Sequence, residues 1–342
     1  MRGRFLLTDA DDSTLHNASS DTGHCSVLPR ETLEALLPRP GGIYVDATFG
    51  DGGHTEALLA ASAPDGRVIA LDRDAAAVER GTPRVQAAAG RLQLLHARFS
   101  QLAAIVEPLG LKERVDGILF DVGLSSRQLD ARTRGFSFRL DGPLDMRMDQ
   151  TTPAPTAAEL LNRLPAEALA DLFFQYGEER HARKAARAIV EQRRTQPFAT
   201  TRQLARLLER ILPAGGPIHP ATRIFQALRI AVNQELEELT QGVQTALELV
   251  APGGRVAVIS FHSLEDRIVK HTFRAATAPP PPPTGPAAWL PVTTPPQVLK
   301  FRLPFSRPVT PDTLEIRANP RARSAKLRVI ERLPAPSLDR IP

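Results

Sequence analysis

An α/β fold built on a parallel sheet and interrupted by an all-helical insertion is what the sequence predicts. Short apolar runs that close in acidic residues alternate with helical segments as far as residue 121. From there to about residue 254 the strands stop and helix signals take over. Strands alternating with helices make a parallel sheet wrapped by helices, and a structureless loop of the remaining length does not fit inside a compact domain.

The elements follow in chain order. Residues 1–22 are polar, with Asp9, Asp11, Asp12, Ser19 and Ser20, and read as a flexible extension. The first strand, 43–46, ends in Asp46 and turns through Phe49-Gly50-Asp51-Gly52-Gly53-His54 into a helix over 55–61. A second run, Val68-Ile69-Ala70-Leu71, ends in Asp72; a third spans 92–96; a fourth, Gly117-Ile118-Leu119-Phe120, ends in Asp121. The fifth, 255–260, follows the turn Pro252-Gly253-Gly254. Between the fourth and fifth, Thr156 with Glu159 and Thr200 with Gln203 form capping boxes, each ahead of a helical run. Residues 178–194 read as one basic helix, and 221–250 as helices returning to the sheet. The expected organisation is a discontinuous sheet domain, 23–127 and 223–332, around a helical insertion at 128–222. A proline-rich surface linker covers 278–297, and a β-like run closes the domain at 327–330.

Composition narrows the classes. The chain has 342 residues and a net charge of +5, from 43 Lys plus Arg against 38 Asp plus Glu. That excess favours a polyanionic partner. No apolar stretch approaches a membrane span, and the N-terminus lacks a signal-peptide core. Cys25 is the sole cysteine and the eight histidines are scattered. This is the pattern of a cytosolic chain without a disulfide or a metal.

The opening β-α-β is a Rossmann-type cofactor site. Glycines let the backbone approach a ligand, and Asp72 stands where a carboxylate takes two ribose hydroxyls. The dinucleotide fingerprint wants a third glycine where Thr55 stands. Negative charge at Asp46 and Asp51 suits the ammonium and sulfonium of S-adenosylmethionine better than a pyrophosphate. A nicotinamide cofactor, or a glycine turn with no cofactor, stays open at this level.

Five stretches, taken together, resemble one family. They are 49–54, the run Phe120-Asp121-Val122-Gly123-Leu124-Ser125-Ser126-Arg127-Gln128-Leu129-Asp130, residues 134–148 from Arg134-Gly135-Phe136-Ser137-Phe138 to Met148, Ser260-Phe261-His262-Ser263-Leu264-Glu265-Asp266-Arg267, and 319–328. The chain resembles the bacterial 16S ribosomal RNA cytosine-N4 methyltransferases from about residue 24 to 332. The resemblance implies a class I S-adenosylmethionine methyltransferase sheet with an inserted helical domain. It further implies methyl transfer to N4 of a decoding-region cytosine in 16S ribosomal RNA, within the small subunit. It puts cofactor contacts on Gly52, Gly53, His54, Asp72, Phe99, Asp121 and Gln128, beside the Asp46 and Gly50 of the loop reading. Many members carry arginine or lysine where this chain has Asp51. Monomer and homodimer both remain open.

The chemistry gives further candidates. Cytosine N4 is a poor nucleophile and needs acceptors for its hydrogens. Asp121, Ser125, Ser126 and His262 are the candidate catalytic groups, although serines there also cap helices and such a histidine also serves structure. The prolines and aromatic ring that other amino-methyltransferases carry after the fourth strand are missing, which leaves Phe136 and Phe138 as candidates to stack the base, with ordinary packing between domains as the favoured alternative. No cysteine nucleophile is near, which argues against methylation at C5. Arg180, Arg183, Lys184 and Arg187, with Arg321, Arg323 and Lys326, are candidate RNA contacts; a solvated helix face is the alternative. Rival functions are a methyltransferase for DNA or another RNA, a non-catalytic RNA-binding assembly factor, and a nicotinamide dehydrogenase.

Overall fold

The computed structural model describes residues 26–213, 218–279 and 299–334. The expected extension at 1–22, Cys25 and nearly all of the 278–297 tract lie outside the described residues. Along the chain run α1 (Pro29–Leu36), β1 (Ile43–Asp46), α2 (Gly53–Ala61), β2 (Arg67–Asp72), α3 (Ala75–Ala87), β3 (Leu92–His96), α4 (Leu102–Val106) and β4 (Val115–Asp121). Then come α5 (Ser126–Asp130), α6 (Ala157–Arg163), α7 (Ala166–Gly177), α8 (Ala182–Arg193), α9 (Thr201–Ile211), α10 (Thr222–Asn233) and α11 (Glu235–Leu249). The chain closes with β5 (Val250–Ser260), α12 (Ser263–Thr277), β6 (Phe301–Arg302), α13 (Thr313–Ala318) and β7 (Lys326–Arg332).

The strands form one sheet in the order β3-β2-β1-β4-β5-β7-β6. The first five are parallel; β7 runs antiparallel beside β5, and β6 antiparallel beside β7. Side-chain alternation sorts the apolar residues onto two faces. Val45, Leu71, Ile118, Phe120 and Val258 pack on one, while Tyr44, Ala70, Leu119, Ala257 and Ile259 pack on the other. Each predicted strand is present. The Pro252-Gly253-Gly254 turn, however, lies inside β5: pairing skips from Val115 with Val250 to Gly117 with Arg255, and Gly253 takes φ +84°.

A third apolar cluster comes wholly from the chain between β4 and β5, from Phe136 through Leu161, Phe173, Ile189 and Leu208 to Val232. Both capping boxes are formed: Thr156 with Glu159 opens α6, and Thr200 with Gln203 opens α9. The single helix expected over 178–194 is two. Glu178, at φ +49°, ends α7 in a left-handed turn, and α8 begins only at Ala182. Arg180 therefore sits in a corner rather than on a helix.

Two side chains tie this layer to the sheet. Arg134, 8% exposed, donates to Asp74 Oδ2 (3.0 Å), just past β2, and to the carbonyls of Arg147 and Met148 (3.2 and 2.6 Å). Asn233 accepts from Met148 N–H (2.8 Å) and donates to the Met146 carbonyl (2.7 Å), while its own carbonyl accepts from Arg73 (2.9 Å). Removing either side chain would leave several buried backbone groups unpaired.

Candidate active site

The strand order reverses between β1 and β4, and ligands of such sheets bind at the carboxyl edge there. The acids that close β1, β2 and β4 meet at this edge, and each has a different environment.

Asp46 is fully buried. Its Oδ2 accepts from Thr55 Oγ1 (2.6 Å) and its Oδ1 from Thr48 N–H (3.1 Å), so it stitches β1 to the start of α2. Burial, against the hydrogen bonds and the His54 charge, raises its pKa. Asp72 is partly exposed and takes two backbone N–H groups, from Gly50 (2.7 Å) and Asp74 (2.8 Å). Burial pushes its pKa up to about 6, against those two hydrogen bonds and with help from the Asp74 and Asp46 charges. Asp121 receives no side-chain donor at Oδ1, which is buried, and its Oδ2 lies 3.5 Å from His54 Nε2.

The loop glycines have conformational reasons. Gly50 and Gly52 sit at φ +56° and +86°, where glycine is unstrained. A Cβ on Gly53 would fall 2.1 Å from Ser26 Oγ, because the chain before α1 crosses the start of α2. Asp51, expected to offer charge to a cation, is instead paired with Arg127 (2.8 Å) and Arg80 (3.8 Å). Those arginines come from α5 and α3, so their approach was invisible in the loop itself.

His54 is 5% exposed. Burial works to lower its pKa, but the Asp121 carboxylate 3.5 Å away, then the Asp46 charge and the Val27 carbonyl, prevail and raise it. Phe99 lies in a 3-10 turn after β3, edge-on to Phe120 at 5.2 Å. Gln128, 8% exposed, donates to Asp74 Oδ2 (2.8 Å), and its Oε1 accepts from Ser125 N–H (3.1 Å). Ser125 is the N-cap of α5, and Ser126 its first residue. His262 caps α12, its Nδ1 accepting from Glu265 N–H (3.4 Å) and its Nε2 lying 3.0 Å from Glu265 Oε1. Phe136 is buried in the helical cluster, and Phe138 stacks on His219 at 4.5 Å. Both rings are engaged in packing within the insertion, the alternative that the sequence had left beside base stacking.

Sequence reasoning quoted Arg134 in a motif but gave it no task. With Arg132 and Arg139 close by in sequence, nothing local marks Arg134 out as the buried one. Among the described residues, Glu235, His262 and Glu265 bring three possible metal ligands within 4.8 Å of one another. Arg229 already forks Glu235 (2.8 and 2.7 Å) and lies 3.9 Å from Glu265, so the carboxylates have a cationic partner.

The predicted RNA contacts divide. Arg180, Arg183, Lys184 and Arg187 are exposed, and no hydrogen bond or ion pair among the described residues engages them. The nearby acids do not balance them. Glu178 holds Ser263 and Arg267, Glu179 is buried, and Glu191 pairs with Arg194. Arg321 pairs with Asp130 (2.8 Å) and Lys326 with Asp266 (3.1 Å), while Arg323 is exposed.

A cofactor fits this edge. Buried oxygens of Asp51 and Asp121 lack hydrogen-bond partners, two loop glycines are in left-handed conformations, and Asp72 faces the same crevice. Sheet order and site together define a Rossmann-type methyltransferase of the S-adenosylmethionine-dependent class. The chain belongs to the MraW methylase family, whose family model matches residues 21–333. It is 53% identical over 313 residues to the ribosomal RNA small subunit methyltransferase H of Magnetococcus marinus, covering 91% of this chain and 98% of that protein. The proteins of the same name from Bradyrhizobium diazoefficiens and Thermomicrobium roseum are 51% and 52% identical over 93% and 91% of this chain, covering 94% of each relative.

The raised pKa of His54 gives a signed expectation. Its pairing adds stability that is fully present below the unfolded value of 6.5 and is lost as pH rises through the folded value. The groups facing the ring are Asp46, Asp121, the Val27 carbonyl and, at longer range, Glu315. His54→Asn is therefore expected to destabilise most at or just below pH 6.5, on the order of 1.5–3 kcal/mol, with a shrinking cost at higher pH. Urea unfolding of both proteins across this range checks it. A cost that grows with pH would contradict the pairing.

Proposed function

We propose that the protein transfers a methyl group from S-adenosylmethionine to N4 of a cytosine in the decoding region of 16S ribosomal RNA. The observation that carries the reading is the Asp121 carboxylate, with a buried, unpartnered oxygen at the switch-point edge. The names of the relatives supply the substrate class.

S-adenosylmethionine, when bound, supplies a methyl group activated by its sulfonium. Asp72, held in place by the Gly50 N–H, would take the ribose end, the glycine turn Gly52-Gly53 the amino-acid end, and Phe99 the adenine. Ribose hydroxyls that donate to Asp72 favour its ionised form, which its burial in the free protein opposes. We assign the Asp121 carboxylate as the acceptor for an N4 hydrogen, with His54 behind Oδ2 keeping it aimed. Ser125 and His262 act by shaping the loops as N-caps, and Ser126 opens α5 as its first residue. The α7–α8 corner abuts the same edge, because Glu178 binds Ser263 and Arg267 at the start of α12. The unpaired cations of that corner and α8 form the phosphate-binding face in this reading.

Purified protein given S-adenosylmethionine and small ribosomal subunits from a strain lacking the enzyme is expected to produce N4-methylcytidine by nucleoside mass spectrometry. Assembled subunits should outperform naked transcript. Formation of 5-methylcytidine, or modification of duplex DNA only, would overturn the reaction; preference for naked RNA would overturn the subunit context alone.

Reversal of Arg183 and Arg187 to glutamate should weaken RNA binding and flatten its salt dependence by about one unit of slope per lost phosphate contact. Calorimetric affinity for S-adenosylmethionine should not change. An unaltered salt slope returns α8 to a solvated face.

A further inference from the structure

A base presented for methylation at an exocyclic amine needs its edge fixed by polar groups and its face fixed by a planar partner. The loop after β4, Asp121-Val122-Gly123-Leu124, contains no ring, so the partner comes from another element. Three described rings lie at the ends of the site strands. Phe49 is 4% exposed, wedged where Gly81 lets α3 come close. Phe99 stands past β3, against Phe120 and Gly242, on the cofactor side. The remaining ring, Phe261, lies directly past β5.

Register places Phe261 beside the acid. Asp121 pairs with Ile259, and Val122 N–H donates to the Ile259 carbonyl (3.0 Å), so Phe261 continues the line two residues on, next to Gly123. Asp121 and Ile259 share one face of the sheet, and Gly123 and Phe261 follow them just beyond the strand ends. An atom at the Cβ position of Gly123 would lie 3.5 Å from Cδ2 and 4.0 Å from Cε2 of the Phe261 ring, and meets no other described group within 4 Å. Gly123 has φ +121°, a conformation that excludes a side chain there on steric grounds. The ring is only partly buried, yet its backbone is held: the Phe261 and His262 N–H groups donate to Glu265 Oε2 (2.8 and 3.2 Å). Glu265 is 1% exposed and braced by His262 and Arg229. A fixed ring, a bare glycine and an acid with an unpartnered oxygen thus share one edge.

We infer that Phe261 is the platform on which the target cytosine stacks, with Gly123 kept bare so that the base reaches Asp121. This rests on the proposed N4 methylation and supplies the planar partner that reaction requires. It also gives the Phe-His-Ser-Leu-Glu segment a purpose: Glu265 fixes the ring that meets the base.

The test compares Phe261→Leu, which keeps apolar volume without a π face, with Phe261→Tyr. With small ribosomal subunits as substrate, Phe261→Leu is expected to lower kcat/KM by roughly tenfold to a hundredfold. Calorimetric affinity for S-adenosylmethionine should be unchanged, and Phe261→Tyr should stay within a few-fold of the wild type. In parallel, the wild-type protein is irradiated with RNA bearing 5-iodocytidine at the target, and the cross-linked peptide is expected to contain Phe261. Full activity of Phe261→Leu, a matching loss of cofactor affinity, or cross-linking to another ring would overturn the proposal, and the cross-link decides even where a variant fails to fold. Absence of N4-methylcytidine from the wild-type reaction would instead overturn the underlying reaction, and with it the platform.

Discussion

The hydrogen bond from the Gly50 N–H to Asp72 Oδ2, 2.7 Å long, is the contact on which the rest of the site depends. It closes the turn after β1 against the end of β2 and so sets the width of the crevice at the switch point. The turn continues through Gly50 at φ +56°, a conformation that glycine takes without strain. The carboxylate is held half in protein, with its pKa pushed up to about 6, and donors from a ligand complete what the backbone begins. Asp46 and Asp121 then divide the remaining work. The first is spent on internal hydrogen bonds, and the second keeps an oxygen unengaged.

The helical layer is coupled to this crevice through Asp74, which receives both Arg134 and Gln128 two residues beyond Asp72. Arg134 and Asn233 in turn pin the backbone of 146–148. The inserted helices are thereby fastened to the segment just past β2. On the opposite side, Glu178 joins the α7–α8 corner to α12, whose N-cap is His262 with Phe261 just before it. The exposed cations of α8 and the edge of the sheet are parts of one connected frame.

Much of this was legible in the sequence because local rules and tertiary demands coincide. Strand ends in Asp46, Asp72 and Asp121, the glycine turn, and the capping boxes at Thr156 and Thr200 all stand where the pattern puts them. What was not legible depends on residues that meet only after folding. The charge of Asp51 is cancelled by Arg127 and Arg80 from two other helices. Phe136 and Phe138 look like free rings in sequence but are claimed by the insertion's core and by His219. The break at Glu178 needs a positive φ at a non-glycine residue, which no propensity signals. The place of Phe261 beside Gly123 follows from the register of β4 on β5, which a single strand does not carry.

The central claim is that the acids at this edge have separate tasks, Asp72 for cofactor and Asp121 for the amine. Asp121→Asn keeps size and one acceptor while removing charge, so it separates the two by comparing turnover with calorimetric affinity for S-adenosylmethionine. The account predicts a fall in kcat of about a hundredfold or more with cofactor affinity nearly unchanged. A parallel fall in both, or turnover equal to that of the wild type, would contradict it.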